Sequence, residues 1–133
     1  MTTPFIWITE AQAKQLHDSV IEGFGGSEGL RDEGLLKSAL ANPQNLFHYE
    51  DASLFDCAAG YAQSISQNHA FIDGNKRTGF MVAIVFLSIN GFKIVTQDDK
   101  NHEDMMVDLA EKKVTREAFS GYLKKHARPS SEN

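Results

Sequence analysis

The segment 80–87, Phe-Met-Val-Ala-Ile-Val-Phe-Leu, is the strongest constraint on how this chain folds. A surface helix keeps one polar face for water, but here every position over two turns is apolar. Such a helix must be surrounded by other elements. It is too short for a membrane, since even the stretch from Gly79 to Ile89 falls well below the roughly 18 apolar residues a span needs. With 133 residues the chain is long enough for one domain with a single core and too short for two ordinary ones. Its 41% apolar and 23% charged residues fit a soluble globular protein.

The rest of the chain supplies the surrounding helices. Phe5-Ile6-Trp7-Ile8 is short and rich in β-formers. Thr9 and Gln12 form a capping-box pattern that starts a first helix over about residues 10–22, with Ala13, Leu16, Val20 and Ile21 inward and Gly23, Gly25 and Gly26 as its stop. After a polar connection, a second helix is expected over 33–41, halted before Pro43. Residues 42–53 then read as an ordered loop or flap, because Leu46, Phe47 and Tyr49 are too apolar for a free linker. Apolar residues at 54, 55, 58, 61, 62 and 65 give a third, amphipathic helix. The central helix follows from Asn75 to Ile89, closed by Asn90-Gly91. Residues 92–96 alternate like a half-buried strand, and Asn101 and Thr115 are candidate caps for two last helices. The predicted fold is all-α: a compact bundle of about six helices around a buried fourth. A small β-pair between residues 5–8 and 92–96 is expected, within one domain over 1–133 whose tail frays from about residue 128.

The chemistry is concentrated just before the central helix. His69-Ala70-Phe71-Ile72-Asp73-Gly74-Asn75-Lys76-Arg77 packs five kinds of polar side chain into nine residues. The first N–H groups of a helix starting near Asn75 have no intrahelical partners and carry the positive end of the dipole, which makes an anion site. Lys76 adds a point charge and Arg77 a rigid fork of donors, a combination suited to phosphate oxygens. Asp73 can ligate a hard cation such as Mg2+ beside those phosphates, or simply cap the helix. His69 has the side chain of a general base.

This run resembles the H-x-F-x-[D/N]-[A/G]-N-K-R motif of the Doc (death on curing) toxins, a branch of the Fic superfamily. Leu16-His17-Asp18, Phe24-Gly25-Gly26 and the Ser-Ala-Leu-Ala-Asn-Pro sequence ending at Pro43 extend the resemblance over roughly residues 5 to 127. The larger Fic proteins read H-P-F-x-x-G-N-G-R and transfer AMP. Here Ala70 replaces the proline and Lys76 the second glycine, whereas Gly74 is shared with Fic. In the Doc branch the lysine goes with a nucleotide bound the other way round, so that the γ-phosphate meets the attacking hydroxyl. The resemblance thus implies a toxin that phosphorylates a Ser or Thr of a protein, with translation elongation factor Tu as the family's target. His69 would be the catalytic base, Asp73 the Mg2+ ligand, and Gly74, Asn75, Lys76 and Arg77 the ATP phosphate site. It also implies a Phd-type antitoxin whose C-terminal segment folds onto the toxin. No segment fits the [S/T]-x-x-x-E-[G/N] autoinhibitory pattern of many Fic proteins; the nearest, from Asp18 to Gly23, begins with the wrong residue. By the same resemblance residues 42–53 would clamp the target chain. Transfer of AMP, or an inactive domain that only binds an antitoxin, are the competing readings.

The remaining residues narrow the classes. A net charge of −5 argues against direct DNA binding. One cysteine, Cys57, and no signal peptide point to the cytoplasm as the default. Cys57 reads as core packing. His17 reads as a structural hydrogen-bonder, and His48, His102 and His126 lack the partners of a zinc site. Lys112, Lys113, Arg116, Lys124, Lys125 and Arg128 read as solvated charges near helix ends.

Overall fold

The computed structural model describes residues 4–95 and 99–130. Its elements in order are α1 (Glu10–Phe24), α2 (Glu33–Glu50), α3 (Leu54–Asn68), α4 (Asn75–Ile89), β1 (Phe92–Ile94), α5 (Asp99–Ala110), α6 (Arg116–His126) and β2 (Ala127–Pro129). The central position of α4 follows from its composition. It packs against α1, α3, α5 and β1, burying Val82, Ala83, Phe86 and Leu87. The closest approach is to α3: a Cβ on Gly79 would stand 2.9 Å from the Ala62 carbonyl oxygen, so only glycine lets the two backbones come together. One hydrophobic cluster runs from Ile8 through Tyr61, Phe86 and Leu109 to Leu123, with Cys57 fully buried inside it. Among the described residues no helix is long and apolar enough to cross a membrane.

The caps at the two ends of the chain form as expected. Thr9 and Gln12 make the reciprocal capping box of α1, and Thr115 accepts the Ala118 N–H at the start of α6. Ser53 and Asp56 make a second capping box at α3 that the pattern reading passed over.

Five expectations need correcting. First, α2 does not stop at residue 41 but runs through Pro43 to Glu50, so residues 42–50 are helix and only 51–53 connect to α3. Proline removes the N–H that would bond the Ala39 carbonyl. The Ser64 hydroxyl on α3 donates to that carbonyl at 2.7 Å, so the orphan is satisfied from a neighbouring helix. Leu46 continues the buried face beyond the proline and lies against Gly60 of α3. Burial of that face offsets the cost of one missing bond.

Second, β1 pairs antiparallel with β2, Lys93 opposite Arg128, and not with residues 5–8. The N-terminal segment reaches the same end of α4 by another route. The Asn90 carboxamide accepts from the Ile6 N–H at 2.8 Å and donates to the Ile6 carbonyl at 2.9 Å, a side chain standing in for a ladder strand. Trp7 stacks on Phe86, and the Ile8 N–H donates to the buried Tyr61 hydroxyl. Thr96 lies outside the described residues. Third, residues 128 and 129 are not a frayed tail, since they belong to β2. Fourth, Asn101 lies inside α5 rather than capping it. Fifth, Arg116 departs from the solvated set, being 23% exposed and paired with Glu50 at 3.8 Å.

Candidate active site

His69 is the C-cap of α3 and sits in the left-handed region, φ 54° and ψ 46°. That conformation costs a non-glycine residue on the order of 1–2 kcal/mol and turns the chain sharply toward α4. Its imidazole is exposed and makes no hydrogen bond among the described residues. Ala70 and Phe71 then bury themselves in the core. Phe71 is the anchor of the loop, as its apolar side chain suggests.

Asn75 locks that anchor. Its Oδ1 accepts from the Phe71 N–H at 3.1 Å and its Nδ2 donates to the Phe71 carbonyl at 2.9 Å. The side chain expected at a phosphate is therefore committed to the loop, and only the Asn75 main-chain N–H remains for an anion. Gly74, at φ 76°, is the N-cap of α4 and offers no side-chain cap. A Cβ there would meet Ile21 Cδ1 at 3.1 Å in a strained backbone, so glycine is dictated by the turn and by α1 behind it. Asp73 does not cap α4. Its exposed carboxylate accepts the Ser27 N–H at 3.0 Å through Oδ2.

Lys76 and Arg77 project from the first turn and are exposed. Neither has an ion-pair partner among the described residues. The Arg77 guanidinium lies 4.4 Å from the centre of the Phe24 ring, at the end of α1. The loop and first turn at the start of α4 thus carry an exposed imidazole, carboxylate, ammonium and guanidinium within nine residues. Neither of the two best-formed clefts, of about 320 and 350 Å³, is lined by these residues. His69, Asp73, Lys76 and Arg77 are all exposed.

Two supports were not legible in the motif. One is His17, which is buried in α1 and stacks on Phe71 with centroids 3.9 Å apart. Its Nε2–H donates to the Asp73 carbonyl at 2.8 Å, whereas the neighbouring Asp18 stands off at 3.9 Å. The expected structural role holds, with a partner 56 residues away rather than one. The other support is the stretch 26–32, which runs antiparallel to the motif and bridges Leu30 to Phe71. The Ile72 N–H donates to the Gly29 carbonyl, while the Arg31 and Asp32 N–H groups converge on the Ala70 carbonyl. Gly26 and Gly29 in this strap, and Gly25 just before it, all have positive φ. At Gly26 a Cβ would crowd Asp73 Oδ2 at 3.3 Å. The glycine cluster is the available signal for the strap, which the sequence reading takes as a helix stop and a polar connection.

A model of the Fic/DOC family matches residues 7–87, which takes in the strap, the motif and nearly all of α4. The chain belongs to the Fic/DOC family. A protein named Toxin Doc, from Mycolicibacterium smegmatis, is 44% identical over 90 residues, covering 65% of this chain and 69% of that one. A protein named Protein kinase doc, from Escherichia phage P1, is 33% identical over 96 residues, covering 71% and 75% respectively. The Fic/DOC match ends at Leu87, so α5, α6 and the β1–β2 pair of this Fic/DOC chain lie beyond it.

Proposed function

We propose that this chain is the toxin of a toxin–antitoxin module, a protein phosphotransferase of the Doc type. It moves the γ-phosphate of ATP to a Ser or Thr hydroxyl of a protein, with translation elongation factor Tu as the target and arrest of translation as the result. The names of the two relatives support the toxin and kinase parts. The observation that carries the chemistry is an unpartnered, exposed imidazole at the start of the short loop that leads into the uncapped N-terminus of α4, with Lys76 on its first turn.

In this reading the His69 imidazole takes the proton of the acceptor hydroxyl as its oxygen attacks the γ-phosphorus. The new O–P bond forms while the bridging P–O bond breaks, and ADP leaves with the electron pair. Lys76, Arg77 and the main-chain N–H groups of Gly74 and Asn75 hold phosphate oxygens and neutralise charge, which is most of what phosphoryl transfer requires. The exposure of His69 suits a hydroxyl that arrives on a second macromolecule. Among the described residues no group of three or more His, Cys, Asp or Glu comes together. Mg2+ fits nonetheless, because it commonly takes only one or two carboxylates along with phosphate oxygens and water. Asp73 would hold it with the oxygen that Ser27 does not occupy. When bound, Mg2+ would offset the charge of the phosphates.

Lys76 supports phosphorylation over AMP transfer, since it adds charge and volume where a second glycine would leave room for a diphosphate. Gly74 does not weigh against it, because the αL turn and Ile21 account for that glycine. A Phd-type antitoxin in the cytoplasm is the corresponding partner, and no role on DNA is assigned.

The test is mass spectrometry of purified elongation factor Tu after incubation with the chain, ATP and Mg2+. A gain of one phosphate, lost with His69→Ala, is the expected result. A gain of AMP would replace the reaction with nucleotidylation. No gain with either relation to His69, on this target and on a cell lysate supplied with γ-labelled ATP, would leave an antitoxin-binding domain without catalysis.

A further inference from the structure

Arg31, which lies outside the motif, binds the end of α3 and the start of the motif through both side chain and main chain. Its Nε donates to the His69 carbonyl at 2.8 Å and its Nη2 to the Asn68 carbonyl at 3.5 Å. Its main-chain N–H donates to the Ala70 carbonyl at 2.7 Å, joined there by Asp32 at 3.1 Å. One residue of the strap thus holds three consecutive carbonyls, those on either side of the His69 Cα and the next one along. Two of them belong to the C-terminal end of α3, where carbonyls have no intrahelical donor and the dipole is negative. No carboxylate lies within ion-pair distance of Arg31 among the described residues, so its guanidinium serves main-chain oxygens only.

The αL conformation of His69 needs such a hold. A non-glycine residue in that region relaxes unless its surroundings over-determine it. Asp32 ties the strap to α2 by capping that helix, and Asn68 ties the end of α3 to α2 by donating to the Leu35 carbonyl at 3.3 Å. With the peptide planes on both sides of His69 pinned, only its two side-chain torsions remain free.

We propose that Arg31 is a positioning residue: it fixes the backbone of His69 in the left-handed turn between α3 and the loop that leads into α4. Its kinetic consequence rests on the phosphotransferase reading; its geometric content does not. A guanidinium presents its donors in a rigid planar fork from two different nitrogens, whereas an ammonium is a single point on a flexible stem, so lysine should restore only part of the effect.

The experiment compares wild type, Arg31→Ala and Arg31→Lys with γ-labelled ATP, Mg2+ and elongation factor Tu, and repeats Arg31→Ala on a His69→Ala background. Arg31→Ala should lower kcat about tenfold or more with KM for ATP within about twofold, as expected of a misplaced catalytic group. Arg31→Lys should fall between. On the His69→Ala background, any residual transfer that the γ-label still detects should fall by less than about twofold further, because the two residues act as one unit. In parallel, the His69 ring protons are followed by NMR in the full-length chain without nucleotide. Arg31→Ala should shift or broaden them while the His126 signals stay in place. If wild type transfers no phosphate, the functional reading fails and the ring protons alone decide this one. Unchanged His69 signals in Arg31→Ala, or in Arg31→Lys should the alanine variant not fold, overturn the proposal. So does an undiminished loss on the His69→Ala background.

Discussion

Asn75 occupies the position where an anion would be expected to meet a side-chain amide, yet both ends of its carboxamide belong to Phe71. Asn75→Ala should therefore act first on stability. Two lost hydrogen bonds, with a buried N–H and carbonyl left behind, should cost about 2–3 kcal/mol in urea unfolding. A loss of transfer with no change in unfolding free energy would instead make it a phosphate contact. Cys57 is the opposite case, a reactive residue type made inert. Burial first, and the nearby Asp56 second, push its thiol up to about 12. The folded chain should leave an aromatic disulfide reagent unreacted at pH 8, and one thiol should appear on denaturation. Rapid labelling of the native chain would show that the α2–α3 seam opens.

At the scale of elements, α2 shows how one helix can repair another. Pro43 leaves the Ala39 carbonyl without its usual donor, and Ser64 provides one from α3. Ser64→Ala should destabilise by about 1 kcal/mol or more while Pro43 is present. On a Pro43→Ala background, where the helix regains its own N–H, the same change should cost distinctly less, and the difference is read from a double-mutant cycle in thermal unfolding. Equal costs on both backgrounds would mean that Ser64 does not compensate the proline. The N-terminal segment shows a related substitution, with the Asn90 side chain doing for Ile6 what a paired strand would have done. In both places a single side chain meets a main-chain need that pattern reading assigns to secondary structure.

Over the whole molecule, α6 is tied back to α3 and α2 by polar contacts as well as by Phe119 and Leu123. Burial would push the Asp56 carboxyl up. The Ser120 hydroxyl, bonded to Oδ1 at 2.7 Å, the two groups of Ser53 and the Arg116 charge together outweigh that and hold it below the usual aspartate range. A carboxyl depressed in the folded state adds stability above its unfolded value, near pH 4, and that stability is lost as pH falls through the folded value. Asp56→Asn should thus flatten the fall of Tm with acid below about pH 4, and an unaltered slope would exclude Asp56 from acid unfolding. The division between what was readable in one dimension and what was not follows the range of each interaction. The apolar run 80–87, the Thr9 and Thr115 caps and the motif from His69 to Arg77 are local, and from them the sequence by itself determined six helices, the bounds of α4 and membership of a known motif class. The continuation of α2 past Pro43, the β1–β2 pairing, the turn of Asn75 inward and the Arg31 and His17 supports depend on groups tens of residues apart. Only the tertiary structure decided these, because a carbonyl left without a donor is satisfied by whichever group packing brings within about 3 Å of it.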